Sequence, residues 1–263
     1  PLVTQLCLLD ENLPPMPEGI ELLTMDADRF LRLLYNRIHS DEMPKPRFVH
    51  VDPPWRYSQA PGVANPEAEG IYAGLGWEGI ADHLRRLHRL AAPGCRMLMW
   101  ATWPKLMEAL LKKSASEGGA PPVFSQKAIR WIPVSGGAWM KTGIGEKPAH
   151  GVGSHWLGAS EPALLYYRSG PRITHRDQIL KNAHLSRRGE HSEKPDDWLE
   201  EMLLRWTNKD DQVVELYAGH SPLARACVRT GRRYLGCELD GMRAHAATVK
   251  IIRAAMALGE RRE

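Results

Sequence analysis

Residues Gln212–Glu238 read QVVELYAGHSPLARACVRTGRRYLGCE. The apolar run Gln212–Tyr217 predicts a strand, and Ala218-Gly219-His220-Ser221 a turn. Pro222 to Thr230 predicts a helix, with proline in the first turn, where its missing N–H costs no bond, and with Gly231 closing it. Tyr234 to Cys237 is a second strand, ending at Glu238. Downstream, Met242 to Leu258 carries Val249, Ile252 and Met256 at helical spacing. Upstream, Pro195 opens a helix bearing Trp198, Leu199, Met202, Leu203 and Trp206, and Ala163–Tyr167 is a strand.

The first hundred residues repeat the alternation. Gly19–Met25 predicts a strand ending at Asp26, and Asp28–Ile38 a helix with Phe30, Leu33, Leu34 and Ile38 on one face. Phe48–Val51 is a strand that runs into Asp52-Pro53-Pro54-Trp55, where proline stops the sheet. Glu78–Ala92 and Pro104–Lys113 predict helices on either side of a strand at Arg96–Ala101. Arg56–Gly76 and the glycine-rich Ser135–Gly153 show no period and read as loops, the second a functional one. Strands alternating with helices predict the α/β class, with a mostly parallel central sheet flanked by helices.

Composition excludes several classes. In 263 residues, 43% are hydrophobic and 25% charged, the balance of a soluble globular domain. No apolar run reaches membrane-spanning length and no signal segment opens the chain, so a cytoplasmic protein is expected. The four cysteines form no Cys-x-x-Cys pair and the histidines no His-Glu-x-x-His, so neither disulfide nor metal is expected. The net charge of +4 is concentrated: Arg168–Lys194 alone carries seven basic and three acidic residues. Such a stretch in an otherwise neutral chain suits a polyanion. Arg172, Arg176, Lys181, Arg187 and Arg188 are the candidate phosphate contacts. The basic residues between Arg225 and Arg262 read equally as part of that face or as a solvated helix face, and Trp100, Trp131, Trp198 and Trp206 read as core.

In such sheets ligands lie beyond the carboxyl ends of the strands. Asp26, Asp52 and Glu238 stand at three strand ends, and Glu215 lies just before the Ala218-Gly219 turn. Gly219 and Glu238 are nineteen residues apart, near the ~20 between a nucleotide-binding turn and its ribose-holding carboxylate. One glycine does not make the pyrophosphate fingerprint, and no Walker sequence is present. A cofactor with ribose and adenine but no phosphate fits better, and S-adenosylmethionine is such a cofactor.

Asp52-Pro53-Pro54-Trp55 carries the chemistry. An exocyclic amine on an aromatic base is a poor nucleophile because its lone pair is delocalised. Two acceptors, the Asp52 carboxylate and the Pro53 carbonyl, can take its N–H groups and favour pyramidalisation. Stiff prolines pre-organise those acceptors, and Trp55 offers a face for an extruded base.

The chain at this point resembles the MT-A family of S-adenosylmethionine-dependent adenine-N6 methyltransferases. Beside Asp52–Trp55, the motifs are Tyr72-Ala-Gly, Leu98-Met-Trp100, His155-Trp156-Leu157 with Glu161, Glu190-His-Ser-Glu-Lys-Pro195 with Asp196, Glu215-Leu-Tyr217 and Gly236-Cys-Glu-Leu-Asp-Gly241. The resemblance implies a Rossmann-like methyltransferase domain with permuted motif order. It would be one domain over 1–263: a catalytic half (20–101), a middle part of loops and target recognition (102–190), and a cofactor half (191–258). Asp26 and Ala27 would lie against the cofactor adenine, and Asp52, Lys194, Glu215, Leu216 and Tyr217 would line its pocket with Gly219 and His220. Glu238 would hold the ribose. Asp52, Pro53, Pro54 and Trp55 would hold the target base, with Tyr72 closing over it. Ser160 and Gly219-His-Ser-Pro222 depart from eukaryotic members and favour a DNA-acting relative, expected in the cytoplasm of a prokaryotic or phage-infected cell. An RNA adenine methyltransferase and a non-catalytic nucleic-acid-binding subunit are the alternatives, and a homo- or hetero-dimer is compatible with either.

Overall fold

The computed structural model describes residues 13–54, 76–101, 125–142, 160–171, 183–187 and 193–260, with backbone alone at 141–142 and 183–187. Its elements are β1 (Ile20–Thr24), α1 (Ala27–His39), β2 (Phe48–Val51), α2 (Trp77–Leu90), β3 (Arg96–Trp100), α3 (Gln126–Ile129) and β4 (Ile132–Thr142). There follow β5 (Ser160–Tyr167), β6 (Ala183–Arg187), α4 (Asp196–Trp206), β7 (Gln212–Leu216), α5 (Pro222–Thr230), β8 (Arg233–Glu238) and α6 (Gly241–Gly259).

The described strands form one eight-stranded sheet in the order β1-β8-β7-β2-β3-β5-β4-β6. Every neighbouring pair is parallel except β3–β5 and β5–β4, so among the described strands β5 alone runs backwards. Strands β2, β3 and β7 are buried on both faces, as continuous apolar runs in a covered parallel sheet require. Val49, Val51, Met97, Met99, Val214 and Leu216 pack with α1 and α2 in one layer. Phe48, Leu98, Trp100 and Val213 pack with α4 and α5 in the other. The alternation of side chains along each strand feeds the two layers.

From β7 the chain crosses by α5 to β8 on one side, and from β2 it passes through α2 to β3 on the other. Adjacent strands with departures in opposite directions make a switch point, and the crevice there opens at their carboxyl ends. Asp52 follows β2, and the Tyr217–Ser221 turn follows β7. The Asp-Pro-Pro strand precedes the glycine-turn strand in the chain, yet the two are neighbours in register, Val51 beside Leu216.

Most elements fall where periodicity predicts them. Two loop expectations are corrected, and in the first of them the start of the Ser135–Gly153 loop is strand, since β4 runs to Thr142. Its glycines hide the strand from a pattern reading. Gly136 lies where an added Cβ would come 3.3 Å from the Ala163 carbonyl, so close pairing with β5 favours a bare backbone. Strand β6, inside the basic stretch, also breaks the expectation of a loop there, and it pairs with β4 from the sheet's edge. The loop at Arg56–Gly76 (through residue 75), the helix at Pro104–Lys113 and the remainder of the glycine-rich loop lie outside the described residues. Trp100, Trp131 and Trp198 are buried in the core, and Trp206 packs partly buried against it.

Candidate active site

Proline at positions 53 and 54 ends β2 after four residues and turns the chain out at the sheet's rim. Asp52 is the first residue past the strand, and 32% of its side chain is exposed. The Lys194 ammonium bonds the Asp52 Oδ2 at 2.7 Å and the Glu161 Oε1 at 2.7 Å. Lys194 is 6% exposed and lies 5.1 Å from the Trp100 ring centroid. Burial alone would lower the lysine pKa, but the two carboxylates outweigh it and hold the group above its ordinary range. Lys194 is therefore a fixed cation that restrains one oxygen of Asp52 and leaves the other as an acceptor.

Glu161 reaches this cluster because β5 runs backwards. Its first residues lie beside the carboxyl end of β3, with Ala163 opposite Trp100. Lys194 arrives from the other direction, immediately before α4, whose first turn carries Asp196 and Asp197. The family resemblance implies a place for Lys194 in a cofactor pocket; the structure shows it bound to the acid of the Asp-Pro-Pro loop.

The glycine turn forms the second half of the crevice. Tyr217, Gly219 and Ser221 all have positive φ (60°, 54° and 47°), and only one is glycine. Such backbone persists where its surroundings over-determine it. The Tyr217 hydroxyl lies 2.6 Å from His83 Nδ1. His83 Nε2 faces Asp28 at 3.5 Å, so a neutral ring donates there and accepts from the tyrosine. The Gly219 N–H donates to Glu238 Oε2 at 2.8 Å, and the Asp240 N–H to Glu238 Oε1 at 2.9 Å. A Cβ built on Gly219 would meet nothing within 4 Å, so the turn borders open space.

Beneath the crevice a row of polar side chains crosses four strands. Trp100 Nε1–H donates to His50 Nε2 at 2.7 Å, and His50 Nδ1 lies 2.6 Å from Glu215 Oε1. Indole can only donate, so His50 is the neutral Nδ1–H tautomer and donates to Glu215. Ser221 Oγ and Tyr234 Oη both bond Glu215 Oε2. Glu215 is 1% exposed. Its side chain thus serves the core under the turn and does not face the crevice, which corrects the expectation that it lines the pocket.

Other expected residues fall as follows. Asp26 caps α1, accepting from the Arg29 N–H at 2.8 Å, and Ala27 opens that helix, buried. Leu216 is fully buried at the strand end. The His220 carbonyl accepts from Arg225 at 3.1 Å. Arg225, read as a phosphate-facing or solvated residue, is instead 9% exposed and clasped by Asp196. Cys227 and Cys237 are buried thiols that burial keeps well above their ordinary pKa. Trp55, Tyr72, Arg172, Arg176, Lys181 and Arg188 lie outside the described residues, and Arg187 is described only as β6 backbone. Sequence reasoning does not single out Glu161, His83 or His50 as site residues. Glu161 alone carries a signal, as a member of one quoted motif.

Among the described residues no cluster of His, Cys, Asp or Glu could hold a metal ion, and no helix is long and apolar enough to cross a membrane. A cavity of ≈ 210 Å³ between Glu21, Arg37 and Arg233 includes residues at the amino ends of β1, β7 and β8, away from the crevice.

Neither a protein-family model nor a curated protein matches this sequence. Solved structures do. M1.HpyAVI, solved as a complex with SAM, superposes with a TM-score of 0.61 at 14% identity, over 88% of this chain and 98% of that one. TTHA0409 of Thermus thermophilus, called a putative DNA modification methylase and complexed with S-adenosyl-L-methionine, gives 0.56 at 18% identity, over 89% and 94%. The cytosine-N4-specific PvuII DNA methyltransferase gives 0.57 at 11%, over 94% and 96%. This chain has the Rossmann-like α/β fold of those proteins along nearly their whole length.

Proposed function

We propose that this chain is a single-domain, S-adenosylmethionine-dependent methyltransferase acting on the 6-amino group of adenine in DNA. One observation carries the reading: the Asp52-Pro53-Pro54 loop and the Tyr217–Ser221 turn leave adjacent strands at the switch point of the sheet. The fold likeness to SAM-bound proteins and DNA methyltransferases supports it.

The turn fits this cofactor. It opens on free space, and the Glu238 carboxylate already sits on the Gly219 N–H. A phosphate there would meet a carboxylate, whereas a cationic sulfonium and ribose hydroxyls would not be repelled by one. Glu238, with one N–H bond on each oxygen, keeps lone pairs for hydroxyls. Asp26, Ala27, Leu216, Tyr217 and His220 would complete the pocket. The bound cofactor supplies an electrophilic methyl carbon on a cationic sulfur.

The rest of the work is the protein's. The Asp52 carboxylate and the Pro53 carbonyl accept the two N–H groups of the amine and turn its lone pair out of the ring plane. Lys194 and Glu161 keep the carboxylate from rotating, so the acceptor is aligned before the base arrives. Trp55 would stack on the base, Tyr72 would close over it, and Arg172, Arg176, Lys181, Arg187 and Arg188 would hold the DNA backbone. Affinity then falls steeply as salt rises.

A cytosine-N4 reading is favoured by the likeness to the PvuII enzyme, since cytosine presents the same kind of planar amine. Incubation with labelled S-adenosylmethionine and matched DNA and RNA oligonucleotides, followed by digestion to nucleosides, decides. Label in N6-methyldeoxyadenosine is expected. Label in N4-methyldeoxycytidine moves the target base, and label in RNA alone overturns the DNA assignment. Tight cofactor binding with no label anywhere makes the chain a non-catalytic subunit.

A further inference from the structure

The Glu193-Lys194-Pro195-Asp196 segment is gripped on both sides of Lys194. Asp196 takes two bonds from Arg225, Nε at 2.9 Å and Nη2 at 2.7 Å, and one from Arg229 Nη2 at 2.8 Å. Glu193 bonds Lys250 of α6 at 2.6 Å and lies 3.8 Å from Arg225. The remaining arm of the Arg225 guanidinium, Nη1, donates to the His220 carbonyl inside the glycine turn. One planar fork therefore spans the turn after β7 and the first turn of α4. A lysine at that position has no second arm, and only guanidinium holds two such partners at a fixed angle.

We infer that Arg225 is a positioning residue coupling the cofactor turn to the Lys194–Asp52 pair, through His220 on one side and Asp196 on the other. It touches neither substrate nor cofactor. The inference rests on the methyltransferase reading and deepens it. The turn has three residues at positive φ, and a carbonyl bond within it is one of the contacts that fix its shape. At the other end, two bonds to the first residue of α4 fix where Lys194 enters the crevice. Arg229 supplies the contrast: among the described residues it grips Asp196 and Glu200 and makes no bond to the turn.

The test compares Arg225→Lys and Arg229→Met in the full chain, by calorimetric titration with S-adenosylmethionine and by steady-state methylation of DNA. Arg225→Lys should weaken cofactor binding about tenfold and lower kcat several-fold, the effect of losing a charge-assisted bond. Its KM for DNA should stay within about twofold of wild type, because the fork lies on the cofactor side of the crevice. Arg229→Met should leave all three parameters within about twofold while lowering Tm. If Arg225→Lys does not fold, Asp196→Asn, which keeps the partner's size and weakens its grip, should reproduce the loss in kcat. Cofactor binding unchanged in Arg225→Lys, or an equal loss in Arg229→Met, overturns the inference alone. Wild-type protein that binds no S-adenosylmethionine overturns the methyltransferase reading itself.

Discussion

Asp52 and Glu215 are carboxylates on neighbouring parallel strands, and their surroundings differ in every respect. Glu215 stands level with His50, within the sheet, and is 1% exposed. Its oxygens are engaged by a histidine, a serine and a tyrosine. Asp52 lies two residues further along the neighbouring strand, past the last sheet pairing, with a third of its side chain exposed and one lysine on it. Depth along the strand therefore separates a structural acid from the one we propose to meet the substrate. The first is saturated by partners the fold supplies, and the second keeps an acceptor for a partner that arrives. Both acids belong to strand-end motifs, and nothing in their residue type distinguishes them.

The comparison is broken most directly at Asp52. Asp52→Ala should cut methyl transfer by on the order of a hundred- to a thousandfold, the cost of removing one pre-organised transition-state contact. Tm should change little, because Lys194 keeps Glu161 as its counter-charge. Full activity in this variant, measured as labelled methyl transfer, would sink the site assignment. Glu215→Ala should do the reverse. It leaves the His50 N–H without its acceptor and the Ser221 and Tyr234 hydroxyls, 2.6 Å apart, with only each other in a dry interior, a loss of about 3 kcal/mol in denaturant unfolding. An unfolding midpoint equal to that of wild type would show that the buried row is not holding the sheet.

Gly236 sharpens the same contrast. It is the residue of β8 opposite Glu215, and Tyr234, two residues before it on the same face, crosses it to reach the carboxylate. A Cβ at Gly236 would fall 2.0 Å from the tyrosine hydroxyl and 2.5 Å from the ring carbon that bears it. Gly236→Ala should therefore cost about 2 kcal/mol, within the range of overpacked cores. Near-UV circular dichroism should show the displaced tyrosine. A stable variant with an unaltered tyrosine signal would contradict this packing.

The β7–α5–β8 unit is legible in the sequence because its signals are local: an apolar strand, a proline at the first helical turn, a closing glycine. Asp52 is legible because two prolines cannot continue a central strand. The partners of Asp52 are not. Lys194 lies 142 residues away in sequence. Glu161 joins only because β5 reverses, and no periodicity reports a strand's direction. β4 is hidden because Gly136 suits a close pairing with β5 that only the folded sheet displays. Arg225 misleads because a basic helix residue resembles a solvated one until its fork finds a half-buried carboxylate. Charge patterning counts such residues, whereas the tertiary structure assigns their partners.

The smallest expected effect lies at the edge of the glycine turn and concerns one of its supports, His83, which stands beside it, as Glu238 and Arg225 support it elsewhere. His83 is 3% exposed, between the Tyr217 hydroxyl and Asp28, with Arg86 and Asp82 nearby. Burial lowers its pKa, Asp28 and Asp82 oppose that, and Arg86 adds to it, leaving the folded value below the ordinary 6.5. The unfolded chain therefore binds this proton at a higher pH than the folded one. The stability due to neutral His83 is complete above about pH 6.5 and is lost as pH falls through the folded value. Unfolding free energy should accordingly decline between pH 7 and pH 5, and His83→Gln should flatten the decline while keeping a polar group for Tyr217. His88, also lowered by burial, titrates in both proteins, so the difference in slope isolates His83. If the two slopes coincide, the tyrosine of the turn is held by something other than this ring, and its positive φ must be explained by Glu238, Arg225 and the sheet.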